Sequence, residues 1–108
     1  ENDGITVNLA INYGGRDEIV RAAEKLQSSN IAITELSLRN ALDQPNIPDP
    51  DLIVRTGGEY RLSNFLLWQS AYSELYFSEK LWPDFSSSDF EKALENYSSR
   101  ERRFGGIQ

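Results

Sequence analysis

Within RTGGEYRLSN, positions 55 to 64, two arginines, two glycines, a glutamate, a serine and an asparagine stand together. Arg55 and Arg61 are separated by a tight loop, so both guanidinium groups can converge on one point. A guanidinium is a planar fork of donors that keeps its charge and matches phosphate oxygens. Ser63 can add a hydroxyl and Asn64 an amide, while Gly57 and Gly58 would let backbone N–H groups approach an anion. No Gly-Lys-Ser/Thr follows, so this is not a Walker loop. A second use of the same residues stays open: a structural salt bridge from Arg55 or Arg61 to a nearby acid such as Glu59. Glu74, in AYSEL, is either a surface carboxylate or an oxygen ligand for Mg²⁺ shared with a diphosphate, with Glu59 a second candidate.

The flanking sequence must position these groups. Residues 5–12, ITVNLAIN, alternate in the manner of a strand. NYGGR follows, a glycine pair most simply read as a turn. DEIVRAAEKLQSS reads as a helix with Ile19, Val20, Ala23 and Leu26 on its apolar face. Thr34 caps a shorter helix to about Leu42. DQPNIPDPD is a proline-rich connector. DLIVR reads as a short buried strand, NFLLWQSAY as two to three helical turns, and ELYFS as a further strand. Ser88 and Glu91 have the spacing of a capping box for a last helix, from about Asp89 towards Arg102, that buries Phe90, Ala93, Leu94 and Tyr97. This order predicts a parallel α/β architecture. With three strands and little to cover them, the chain reads as the C-terminal part of a larger domain.

Composition narrows the chemistry. The 108 residues carry a net charge of -6 and contain neither cysteine nor histidine. Disulfides, thiolate zinc sites, Cys or His nucleophile pairs and imidazole bases are therefore excluded. A metal must be held by oxygen, which favours Mg²⁺, Ca²⁺ or Mn²⁺. The acidic balance argues against nucleic acid as a partner. No apolar run approaches the roughly 20 residues that span a bilayer.

The loop RTGGEYRLSNFLLWQ, then AYSELYF, LWPDF and finally RERRFGG, resembles the C-terminal half of the cis-prenyltransferases, and NYGGRDEIV resembles the strand and helix that precede it there. The likeness runs from about Val7 to Gly106. It implies an α/β fold, with residues 1–108 as the C-terminal portion of one cis-prenyltransferase domain. The implied reaction condenses isopentenyl diphosphate onto an allylic diphosphate with Mg²⁺ as cofactor. By motif, Arg55, Arg61 and Ser63 would hold the isopentenyl diphosphate and Glu74 would help to bind Mg²⁺. Arg103 and Gly105, in the R-x-G segment, would reach the substrate of the second subunit of a homodimer. The lipid product implies a cytoplasmic protein working at the inner membrane face.

Two departures go with the resemblance. Tyr60 stands where many relatives have histidine. The family's D-G-N-G-R-W motif, with its catalytic aspartate, is absent, so this chain is expected to carry half a site and to be inactive alone. Two other readings are a non-catalytic partner subunit, against which the retention of Arg55, Arg61, Ser63 and Glu74 argues, and a generic nucleotide-phosphate binder, which lacks any base-reading motif.

Overall fold

The computed structural model describes residues 4–107, with side chains as far as Arg100. The chain divides into two compact units, Glu1–Asn46 and Ile47–Gln108.

In the first unit, α1 (Gly15–Ser28) packs against α2 (Glu35–Asn40). Asp17 and Glu18 in the first turn of α1 and Lys25 in its last turn suit the helix dipole. The helix stops where the Ser29 N–H bonds back to the Lys25 carbonyl, the Asn30 N–H bonds back to that of Gln27, and Asn30 turns to φ 61°. Thr34 caps α2 as the sequence suggests. Its Oγ1 accepts from the Ser37 N–H at 3.0 Å, and Ser37 Oγ accepts from the Thr34 N–H at 2.8 Å, a reciprocal box. Ala22, Leu26, Leu38 and Leu42 form the core.

The buried stripe of α1 differs from the one expected. It runs through Gly15, Glu18, Ala22 and Leu26, whereas Val20 is exposed. Glu18 turns inward because its carboxylate accepts from the Tyr13 hydroxyl and, at 2.9 Å, from the Asp43 N–H. Outside this core Arg21 forks onto Asp43 at 2.8 and 3.0 Å and meets Asp17 at 2.8 Å. That bonding raises the Arg21 pKa and lowers that of Asp43. Exposed pairs of this kind add little stability.

Residues 5–12 do not form the expected strand. Ile5, Val7, Leu9 and Ile11 are each more than three-quarters exposed. Alternation alone cannot make a strand, which needs a neighbour to complete its ladder. Among the described residues the sheet has two strands.

Those strands lie in the second unit. β1 (Leu52–Arg55) and β2 (Glu74–Phe77) pair in parallel, Leu52 opposite Glu74 and Arg55 opposite Phe77. The parallel α/β pattern read from the sequence is thus present, although β1 is half-buried rather than buried. The Glu74 N–H bonds to the Asp51 carbonyl at 2.9 Å and the Ser78 N–H to that of Arg55 at 2.8 Å, extending the ladder at both ends. Residues 64–72 are a series of turns and not a helix. Ser63, Asn64 and Leu66 have φ of 52°, 71° and 49°, which is incompatible with right-handed helix.

A 3₁₀ turn at Trp82–Asp84 leads into α3 (Ser87–Ile107), which packs on β2 and fully buries Ala93. Phe90 and Leu94, expected inside, are nearly half exposed. Among the described residues no helix is long and apolar enough to cross a membrane.

The box that caps α3 lies two residues before the expected one. Asp89 Oδ2 accepts from the Ser86 N–H at 2.9 Å, and Ser86 Oγ accepts from the Asp89 N–H at 3.3 Å. Lys80 Nζ donates to both Asp89 oxygens at 3.0 Å. The Ser86 backbone bond first, and then Lys80, lower the Asp89 pKa from 3.8 to about 2. A depressed carboxylate pKa contributes stability that is complete above about 3.8 and disappears as pH falls through about 2. Asp89→Asn is therefore less stable than wild type at pH 5, and the gap closes on acidification across that window. Urea unfolding of both proteins at several pH values measures it; a gap that stays constant with pH contradicts this role of Asp89.

Candidate functional site

β1 ends at Arg55, and the loop that leaves it folds back across that side chain. Arg55 Nη1 donates to the Arg61 carbonyl at 2.5 Å and to Ser63 Oγ at 2.8 Å. Its Nη2 donates to Glu59 Oε1 at 3.3 Å, and Arg61 Nη1 donates to the same oxygen at 2.5 Å. The two guanidinium groups expected to converge do so, around Glu59. Arg55, Glu59, Arg61 and Ser63 make one hydrogen-bonded cluster. The Ser63 oxygen accepts from Arg55, which leaves the hydroxyl hydrogen to serve as a donor.

The glycine pair has a different task from the one expected. Gly57 and Gly58 have φ of 94° and 76°, a region open to glycine. Their N–H groups point back to the chain after β2, to the Lys80 carbonyl at 2.7 Å and the Ser78 carbonyl at 2.9 Å. These two amides are spent on anchoring the loop.

A groove of about 320 Å³ opens beside the cluster, lined by Arg55, Arg61 and Ser63 and by the apolar Ile53, Val54, Leu62 and Phe65. Fixed cations and a hydroxyl next to apolar walls suit a ligand with an anionic head and a small hydrocarbon body. Arg55 is the more enclosed cation, its side chain 29% exposed against 66% for Arg61.

Glu74 stands apart from this cluster along the sheet. It opens β2 opposite Leu52, whereas Arg55 lies three rungs further on, about 10 Å at the usual rise per residue. Its carboxylate accepts from Arg100 Nη1 at 3.1 Å, and Arg100 also donates to the Leu75 carbonyl at 2.8 Å. Nothing local in the sequence signals this pair, because it joins β2 to a distant turn of α3. Among the described residues no three acidic side chains gather as a metal site. Tyr60 packs edge-on against Phe77 with ring centroids 5.5 Å apart, so its ring serves an aromatic contact. The side chain of Arg103 and the surroundings of Gly105 lie outside what the structure describes.

Comparison with known proteins agrees with this architecture. The family model described as "Putative undecaprenyl diphosphate synthase" matches residues 1–105. An isoprenyl transferase from Thermotoga maritima is 58% identical over 99% of this chain and 48% of its own length. The tritrans,polycis-undecaprenyl-diphosphate synthase (geranylgeranyl-diphosphate specific) of Thermoplasma volcanium is 56% identical over 92% of this chain and 41% of its own. The crystal structure of a probable undecaprenyl diphosphate synthase from Campylobacter jejuni superimposes with a TM-score of 0.79 at 47% identity, covering 91% of this chain and 46% of that one. The chain thus spans about half the length of the curated relatives it matches. With nearly all of its residues inside the family model, this chain belongs to the undecaprenyl diphosphate synthase family of prenyltransferases.

Proposed function

We propose that this chain forms the isopentenyl-diphosphate half of a cis-prenyltransferase site, in a protein that condenses isopentenyl diphosphate onto an allylic diphosphate to give an undecaprenyl-type product. The observation that supports it most is the groove in which Arg55, Arg61 and Ser63 meet an apolar lining of Ile53, Leu62 and Phe65. The guanidinium forks and the serine hydroxyl would take the diphosphate oxygens, and the apolar residues would face the five-carbon body. In such a condensation the allylic C–O bond breaks, pyrophosphate departs with the bonding electrons, a C–C bond forms to isopentenyl diphosphate, and a proton is lost from the latter. The role of this loop is to hold one reactant in line for that step.

Mg²⁺ usually takes one or two carboxylates together with substrate phosphates. Glu74 would supply one such donor only by giving up Arg100, with which its carboxylate pairs at 3.1 Å. The described residues do not make a metal site on their own. When bound, the ion would stabilise charge developing on a departing diphosphate. Arg103 and Gly105 are proposed to contact the diphosphate held by a second copy of the chain in a homodimer. The lipid product would bring the protein to the cytoplasmic membrane face.

Arg61→Ala tests the site. It removes a charge-assisted contact worth about 1.5–3 kcal/mol, so affinity for isopentenyl diphosphate falls about ten- to a hundredfold in the full-length protein. Calorimetric titration reads the change, and unaltered affinity refutes the assignment.

A further inference from the structure

A loop suited to bind a polyanion already holds an anion of its own. Glu59 Oε1 lies between Arg55 Nη2 at 3.3 Å and Arg61 Nη1 at 2.5 Å. Two guanidinium groups brought this close repel each other, and the carboxylate between them offsets that repulsion. It occupies one nitrogen of each guanidinium that a phosphate would contact. The pairs are also easily broken, since the Glu59 side chain is half exposed and exposed ion pairs are worth little.

We propose that Glu59 is an exchangeable counter-ion of the diphosphate site: it yields both guanidinium groups to an incoming diphosphate and re-pairs with them as the diphosphate leaves. The inference rests on the reading of the groove as a diphosphate site. A binding-competent loop is one from which Glu59 has withdrawn, so apparent affinity is reduced by the fraction of time that it stays. That loss has a use in the proposed reaction. Pyrophosphate departs from the allylic partner, and the diphosphate brought in by isopentenyl diphosphate remains on the product. This site must therefore release a diphosphate in every cycle. A carboxylate ready to take over the arginines lowers the barrier to that release.

The test is Glu59→Gln in the full-length protein, with Glu59→Asp as the conservative control. Gln keeps the size and one acceptor oxygen but not the charge. Binding of isopentenyl diphosphate and of inorganic pyrophosphate is expected to tighten by the same factor, about three- to tenfold. The common factor follows because Glu59 competes only for the phosphate contacts. Dissociation slows, and KM and kcat fall together where release limits turnover. Glu59→Asp keeps the charge but draws it back by one methylene, so its affinities fall between those of wild type and Glu59→Gln. A residue that merely shapes the loop gives the opposite sign, with weaker binding and a raised KM, and that result overturns the counter-ion role, as does unchanged affinity in Glu59→Gln. Wild-type protein that binds neither probe overturns the diphosphate site itself. Normal wild-type binding with an indifferent variant removes only the role of Glu59.

Discussion

With the proposed diphosphate site, replacing Arg55 by alanine is expected to lower affinity for isopentenyl diphosphate by about a hundred- to a thousandfold, a larger loss than the same change at Arg61. Both substitutions delete a charge-assisted contact. Only Arg55 also holds the loop, through the Arg61 carbonyl, Ser63 Oγ and Glu59. Without it, Arg61 and Ser63 lose the anchor that sets their spacing, and the ligand must bear the ordering of the loop on binding. Arg61, by contrast, projects from the loop and is largely exposed. Arg55→Lys separates the two effects. It restores the charge but not the planar fork, so it recovers little of the affinity. Titration of wild type and the three variants in the full-length protein decides the matter. Equal losses at Arg55 and Arg61 would show that Arg55 is a ligand contact and not the organiser of the loop.

The parts of this arrangement that the sequence makes legible are the local ones. β1 and β2 are short apolar runs bounded by turn residues, and the Thr34 cap sits at the start of its helix. Arg55, Arg61 and Ser63 converge because a tight loop brings near neighbours together. What escapes the sequence depends on partners far along the chain. Residues 5–12 alternate well yet have no ladder among the described residues. The apolar run at 64–72 has helical composition, but left-handed backbone at Ser63, Asn64 and Leu66 diverts it into turns. The glycine amides looked like anion donors until the carbonyls of Ser78 and Lys80 claimed them. Glu59 was legible as a salt-bridge partner for either arginine. Its position between both comes from the fold of the loop.

Glu18 is the sharpest case of a long-range cause, and its replacement carries the largest expected effect on stability. A periodicity argument puts a glutamate on the wet side of α1, yet Glu18 is 2% exposed. Its two carboxylate oxygens are divided between the Tyr13 hydroxyl and the Asp43 N–H, so one side chain ties the turn before α1 to the segment after α2. Glu18→Ala removes that tie and leaves both donors without their acceptor. A buried donor deprived of its partner costs about 1–3 kcal/mol, and because both donors here are only part-buried the lower half of that range applies, about 2–4 kcal/mol for the two. Tyr13→Phe, which removes one bond and no acceptor, loses about 1 kcal/mol. Glu18→Gln falls between the two, because its amide can present an oxygen to one donor but must turn an N–H₂ towards the other. Urea midpoints at unchanged slope give the order Glu18→Ala, Glu18→Gln, Tyr13→Phe. If Glu18→Ala is no worse than Tyr13→Phe, the bond from the Asp43 N–H to Glu18 contributes nothing to stability. If the predicted order holds, the two bonds from one carboxylate are what turn position 18 inward, while Val20 stays outside the expected apolar stripe.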